Sequence, residues 1–261
     1  MRTQIARAAR REIGKARNGQ TACPHEAYRT RQAVQRTSAS VLAIAYSPAV
    51  SGWQAHIERG QRRYRDAMAR GPDDKQLVRA ANAAWGAAAA LLMAGRTEES
   101  SEWFTKAADS YRRSYEGAPK DSWGRPVGAL KARLLAGDAA GAAEDARWAL
   151  DLGAEGAESP VGRYAATLAL LVLGADAEAG RLAESLQDAG DAFPREGADA
   201  LRGLGAGESA LYTDGLERVL RSFEERDTYL ENVPVADTVI VLEILAESRG
   251  LAAHPSSPLV P

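Results

Sequence analysis

The chain has 261 residues, of which 54 are alanine and only 6% are aromatic. Its 33 basic and 35 acidic side chains give a formal net charge of -2. This composition argues against a β-sandwich or barrel, because alanine has the highest helix propensity and the β-branched and aromatic residues typical of strands are scarce. The composition predicts an all-α protein.

The cysteine and histidine counts and the lengths of the apolar stretches argue against several kinds of site and location. The lone Cys23 leaves no intramolecular disulfide and no cysteine-based zinc site. The three histidines are too scattered to suggest a metal cluster. Residues 1–17 lack the apolar core of a secretory signal, and the uncharged alanine-rich stretch of residues 80–94 is too short to span a bilayer. We expect a cytoplasmic protein with no membrane partner, no metal and no cofactor.

The charge is distributed unevenly along the chain. Residues 1–70 carry 14 basic and 4 acidic side chains, whereas residues 71–261 carry 19 and 31. Such a basic segment suits nucleic acid or an acidic partner. We favour a basic helix face that docks on the acidic remainder of the same chain, because the arginines alternate with alanine and isoleucine at helical spacing. Nucleic-acid binding is the less favoured interpretation.

The predicted elements are helices throughout, about eleven in number. Residues 1–20 form a basic helix that ends at Asn18-Gly19, and a second helix lies between Pro24 and Pro48. The next three span residues 51–70, 74–94 and 97–115, with Asp73 or Asp74 as the N-cap of the middle one.

Three glycines mark a repeat along the middle of the chain. Gly95, Gly137 and Gly174 each follow an apolar helix and precede an alanine-rich helix, at spacings of 42 and 37 residues. Such units do not bury their apolar stripes alone, so neighbouring hairpins stack. The sequence predicts irregular antiparallel hairpins in a TPR-like α-α superhelix, without the strict tetratricopeptide motif.

The last third of the chain predicts two further helices, a final helix and a tail. The final helix is expected over residues 233–249, with Asn232 as its N-cap, Pro234 in its first turn and Asp237 as a further structural marker. Residues 251–261 contain three prolines and predict an extended tail. Between the basic helix (1–20) and this tail, residues 21–250 are expected to form one helical domain.

No catalytic constellation is evident in the sequence. Cys23 and His25 flank a proline, and no third group is near that would orient a nucleophile. The carboxylate pairs Asp73-Asp74, Glu98-Glu99 and Glu224-Glu225 lie at helix starts or on charged helix faces, where acidic residues favour the helix dipole or solvation. We therefore expect a protein that is not an enzyme and has no catalytic residue.

Aromatic side chains are concentrated in the middle of this alanine-rich chain. Most of them are expected to fill gaps between hairpins, but some suit contact anchors on a binding surface. Tyr111 and Tyr115 are one turn apart beside Arg112 and Arg113, which favours exposure. The candidate partner-binding residues are Trp53, Trp85, Tyr111, Tyr115 and Trp123.

The C-terminal segment resembles the end of a known family. The run from Glu231 to Thr238, followed by Leu242, Leu245, Ala246, Arg249, Gly250 and the closing residues 257–261, is similar to the C-terminus of the immunity protein 49 family. These are mostly α-helical bacterial proteins found in polymorphic-toxin loci. The specific likeness covers about 30 residues of this chain.

The resemblance implies a non-enzymatic immunity protein that binds and neutralises a cognate toxin. Aromatic and arginine anchors with charge complementarity would supply its affinity. If the toxin is a nuclease, its basic active site suits the acidic remainder of the chain, although the basic first quarter does not. The alternative is a helical-repeat scaffold or regulatory protein that binds a peptide or protein partner in a concave groove.

Overall fold

The computed structural model of the protein describes residues 50–71 and 73–261. The predicted basic helix, the helix after Pro24 and the Cys23–His25 pair lie outside these residues. In the described part of the chain the protein is all-helical, with ten α-helices, three short 3-10 turns and no strand, so the predicted fold class is confirmed. The helices are α1 (Val50–Ala69), α2 (Asp74–Met93), α3 (Thr97–Ser114), α4 (Gly124–Leu135), α5 (Ala139–Asp151), α6 (Pro160–Val172), α7 (Asp176–Gln187), α8 (Arg195–Ala206), α9 (Ser209–Glu224) and α10 (Asp237–Glu247).

Glycine turns join the helices of each hairpin. Gly95, Gly137 and Gly174 have φ of +73°, +70° and +76°, a left-handed conformation that costs glycine little. At the first turn the N–H of Gly95 donates to the carbonyl of Leu92, and the N–H of Arg96 donates to the carbonyl of Leu91. The predicted turns are confirmed. A fourth hairpin, α8–α9, turns in the same way at Gly207 (φ +70°).

Successive helices pack against one another along the chain. We call the first helices of the four hairpins (α2, α4, α6 and α8) the inner layer and the second helices (α3, α5, α7 and α9) the outer layer. α1 packs against α2, and α4 contacts α6 directly within the inner layer. α10 packs against α4 and α8 of the inner layer and against α9 of the outer layer, so the end of the chain lies against several hairpins.

Two large apolar clusters hold the layers together. One lies around α2 and α3 and contains Ile57, Trp85 and Phe104 with many alanines. The other extends from α4 to α10 and includes the fully buried Leu168 and Tyr212. Alanine is the commonest residue of the first cluster, and leucine and alanine together make up most of the second. A small side chain at a helix crossing lets the backbones approach closely.

The final helix begins later than the sequence predicts. α10 starts at Asp237, since residues 233–236 contain no helix, Val233 is extended, and Leu230–Asn232 form a 3-10 turn in which Glu231 and Asn232 have φ of +55° and +54°. The predictions of Asn232 as N-cap and of Pro234 in the first turn are therefore wrong. The residue before a proline is restricted to extended conformations. The extended segment also buries both Val233 and Val235.

Residues 251–261 contain no helix, and their backbone is fixed by side chains and backbone of the last two helices. The N–H groups of Ala253 and His254 donate to the Glu243 carboxylate at 3.0 and 2.6 Å. The carbonyl of Leu259 accepts the N–H of Ala236, which ends the extended segment, at 2.8 Å. The predicted domain limits at residues 20 and 250 stay predictions.

Candidate functional site

Trp85 and Tyr111, two of the predicted partner-binding residues, lie in the core. Trp85 is 4% exposed and packs edge-on against Phe104, with ring centroids 5.5 Å apart. Tyr111 is 7% exposed, and its hydroxyl donates to Asn82 Oδ1 at 2.6 Å. Burial, reinforced by the negative charges of nearby carboxylates, raises the pKa of Tyr111. The expected exposure of Tyr111 is wrong, because the helix turns this side chain towards α2 and not towards solvent.

The other three candidates lie in separate places. Trp123 is 5% exposed and belongs to a small apolar cluster with residues of α6, so it also fills the core. Trp53 is half-buried beside His56 on α1, and Tyr115 is half-buried against Trp148 of α5, with centroids 5.4 Å apart. The five aromatics therefore form no common surface, and the three that are buried offer a partner almost no area.

The segment that carries the family resemblance begins at a contact with α1 and α2. The Glu231 carboxylate pairs with Arg63 at 2.6 Å, and Arg59 donates to the Glu231 carbonyl. Gly86 of α2 faces this residue so closely that a Cβ at Gly86 would lie 2.7 Å from the Glu231 Cβ. Because Gly86 has no side chain, the turn at Leu230–Asn232 can pack closely against α2.

A buried ion pair fixes the start of α10. The Lys131 ammonium, from α4, donates to Asp237 Oδ2 and to Thr238 Oγ1, both at 3.0 Å. Burial alone would lower the pKa of Lys131, but the Asp237 carboxylate outweighs burial and holds that pKa above its ordinary value. Burial also raises the pKa of the nearby Tyr164. Lys131 therefore keeps its positive charge.

The end of α10 is fixed in a similar way. Arg249 pairs with Asp176 of α7 at 2.5 Å and donates to the carbonyl of Leu171 at 2.6 Å. Gly250 then ends the helical region with φ of +67°. Several of the residues that carry the resemblance therefore hold the C-terminal segment against helices of several hairpins.

A cavity of about 170 Å³ opens between α6, α8, α9 and α10. Its walls are mainly apolar, and two charged side chains, Glu196 and Arg226, belong to the lining. The sequence interpretation missed this site, because its lining comes from four separate stretches of the chain. The local signal was the spacing of Phe223, in the last turn of α9, and Arg226, two residues beyond the end of that helix. The principal apolar lining residues are Tyr164, Phe193, Leu201, Val219, Phe223 and Leu242.

The Arg226 guanidinium is held beside this cavity without an anionic partner. It lies 3.7 Å from the centroid of the Phe223 ring, and its Nε donates to the carbonyl of Ser222 at 3.2 Å. Among the described residues, no carboxylate lies within 4.0 Å of Arg226 and no cation within 4.0 Å of Glu196.

The exposed charges differ between the two layers. On the outer helices, eleven acidic side chains are exposed, against four basic ones (Arg113, Arg147, Arg181 and Arg221). On the inner helices, the exposed charges are all basic: Lys75, Arg79 and Arg195. The eleven acidic residues are Glu98, Glu99, Glu102, Asp109, Glu144, Asp151, Glu178, Glu184, Asp214, Glu217 and Glu224, and we call their surface the acidic outer face.

The carboxylate pairs noted in the sequence make ordinary structural contacts. Asp73 accepts the N–H of Gln76 and caps α2, as predicted. Glu99 pairs with Arg96 at 2.6 Å, and Glu224 accepts the Ser257 hydroxyl at 2.7 Å. Within the described residues, no cluster of three or more His, Cys, Asp or Glu side chains is arranged to hold a metal ion.

No protein-family model, curated protein sequence or solved structure matches this chain. In the part of the chain that the structure describes, every helix is too short or too polar to cross a membrane.

Proposed function

We propose that the protein is an immunity protein that binds a toxin through the acidic outer face and so neutralises it. The observation that carries the proposal is the excess of eleven exposed acidic side chains over four basic ones across α3, α5, α7 and α9. The resemblance of the C-terminal segment supplies the class of partner.

The sign of this charge suggests what the toxin does. Proteins that process nucleic acid carry positive surfaces, because they bind a polyanionic backbone. An acidic face complements such a surface and attracts it over a long range, which raises the rate of association. A nuclease toxin is therefore the partner that the described charges fit best.

The position of α10 supports binding at the outer side. A scaffold that holds a peptide in its groove needs an open inner side, whereas here α10 packs against α4, α8 and α9 and residues 230–236 contact α2. Of the outer helices, α9 contacts α10 and α7 pairs with Arg249 through Asp176, whereas α3 and α5 carry no such covering segment within residues 50–261. We therefore favour the immunity function over the groove-binding scaffold.

Co-expression with the toxin encoded beside this gene tests the proposal. We expect a stable complex, and protection of cells that otherwise die. The variant Glu144→Lys/Asp151→Lys reverses two exposed charges on α5 and should slow association by about tenfold at low salt. Its matched control, Glu58→Lys/Asp66→Lys, reverses two exposed charges on α1 and should associate at the unchanged rate.

Two results would contradict the proposal. The absence of both complex and protection would remove the immunity function itself. Equal effects of the α5 and α1 variants on the association rate would place the contact elsewhere than on the acidic outer face.

A further inference from the structure

The cavity between α6, α8, α9 and α10 has the features of a small-molecule site. Its volume of about 170 Å³ resembles that of apolar protein cavities that hold one benzene ring, roughly 150 Å³. Phe193, Leu201, Val219 and Leu242 supply apolar walls around this space. A single aromatic ring or a branched aliphatic side chain therefore fits the cavity.

Two opposite charges in the lining give the site its polarity. The guanidinium of Arg226 uses Nε and Nη2 for Ser222, at 3.2 and 3.5 Å, which leaves its other N–H donors available for a planar anion. Glu196 lies in the first turn of α8 and contributes a carboxylate to the same lining. The two charges do not neutralise each other, because they are more than 4.0 Å apart.

From this arrangement we infer that the cavity binds a zwitterionic α-amino acid with an apolar side chain. The side chain occupies the apolar space, the carboxylate of the ligand pairs with Arg226, and its ammonium pairs with Glu196. A simple carboxylate would gain from Arg226 but meet repulsion from Glu196, and a simple amine would meet the reverse. The zwitterion is the ligand class that satisfies both charges.

Three probes that share one ring separate these cases. L-Phenylalanine has both charges, 3-phenylpropionate lacks the ammonium, and phenethylamine lacks the carboxylate. We expect L-phenylalanine to bind the full chain with a Kd of about a millimolar or tighter. Each analogue should bind about tenfold more weakly, since each loses one charge-assisted contact. Shifts of the Leu201, Val219 and Leu242 methyl signals in NMR titrations locate the ligand and give its Kd.

Matched variants assign each charge. Arg226→Gln should weaken L-phenylalanine about tenfold and leave phenethylamine equal or tighter, whereas Glu196→Gln should weaken L-phenylalanine and leave 3-phenylpropionate equal or tighter. Arg221→Gln, an exposed arginine of α9 that does not line the cavity, is the control and should bind L-phenylalanine normally.

A filling variant tests the apolar space separately from the charges. At Gly197 an added Cβ would lie 3.4 Å from the Phe193 ring, an ordinary contact, so Gly197→Leu should fold and abolish binding of all three probes. The inference is overturned if 10 mM L-phenylalanine shifts no cavity methyl, or if both analogues bind the natural protein as tightly as L-phenylalanine does. Neither result requires the toxin, so failure here leaves the proposed immunity function standing.

Discussion

The ion pair between Lys131 and Asp237 should be among the polar contacts that contribute most to stability. The side chains are only 11% and 19% exposed, and the ammonium also donates to Thr238. Breaking a fully buried pair costs about 3–5 kcal/mol, and exposed pairs contribute about 0–1 kcal/mol. For this partly shielded pair, we expect Lys131→Met to lower the free energy of unfolding by about 2–3 kcal/mol, because the Asp237 charge remains without its partner.

A double-mutant cycle measures the pair itself. Asp237→Asn keeps an oxygen that accepts the Thr238 N–H and should cost about 2 kcal/mol alone. The double variant should be about as stable as either single one, which gives a coupling energy of about 2 kcal/mol. Urea unfolding followed by circular dichroism and by tryptophan fluorescence supplies the free energies, provided that the two transitions coincide.

The exposed pair of Arg62 and Glu58 on α1 is the control, since its side chains are 59% and 54% exposed and 3.9 Å apart. Arg62→Met should change the free energy of unfolding by less than about 0.5 kcal/mol. A coupling energy below about 0.5 kcal/mol between Lys131 and Asp237 would refute the reasoning that burial strengthens this contact. Hydrogen exchange adds a local measurement, since Lys131→Met should accelerate the amides of α10 more than those of α3.

Three further predictions concern other contacts. Gly137→Ala should lower the free energy of unfolding by about 1–2 kcal/mol in urea titrations, because φ is +70° there; an unchanged midpoint would contradict the left-handed turn. Tyr212→Phe should cost about 1.5–3 kcal/mol by the same assay, because the fully buried hydroxyl donates to Glu243 at 2.5 Å. Asp199→Asn should cost about 1–2 kcal/mol at pH 6: burial alone would raise the pKa of Asp199, but hydrogen bonds, above all from Arg218, hold the pKa below 3.8. This contribution is present above the unfolded-state pKa and is lost as the pH falls through the folded-state value, so the difference in stability between the two proteins should shrink as the solution is acidified; a difference that stays constant from pH 6 down to the lowest pH at which the protein folds would contradict the ionised form as the source.

The features that sequence could predict are the local ones. The helix content follows from the high helix propensity of alanine, and the turns at Gly95, Gly137 and Gly174 follow from the conformational freedom of glycine. Both can be predicted without knowledge of any tertiary contact. Asp73 could likewise be predicted as an N-cap, because the side chain of an N-cap accepts a hydrogen bond from an N–H only three residues away.

The features that sequence could not predict depend on distant partners. Val233 and Val235 fit a helical period as well as an extended one, and only the apolar surface of α2 decides in favour of extended backbone. Tyr111 was expected at the surface because of its arginine neighbours, but its hydroxyl donates a hydrogen bond to Asn82, 29 residues earlier in the chain. The cavity with Arg226 and Glu196 was missed for the same reason, since no short stretch of sequence contains both its walls and its charges.

The C-terminal segment contacts residues that lie far earlier in the chain, and this separation has a consequence during synthesis on the ribosome. The hairpins depend on contacts between neighbouring helices and form as soon as each pair has emerged. Glu231 contacts Arg59 across 172 residues, and Asp237 contacts Lys131 across 106 residues. The surfaces of the early hairpins that this segment covers therefore stay exposed until residues 230–247 have been translated. During that interval, we expect the nascent protein to be a substrate for chaperones that bind apolar surfaces, and ribosomes stalled before residue 230 to yield aggregation-prone chains.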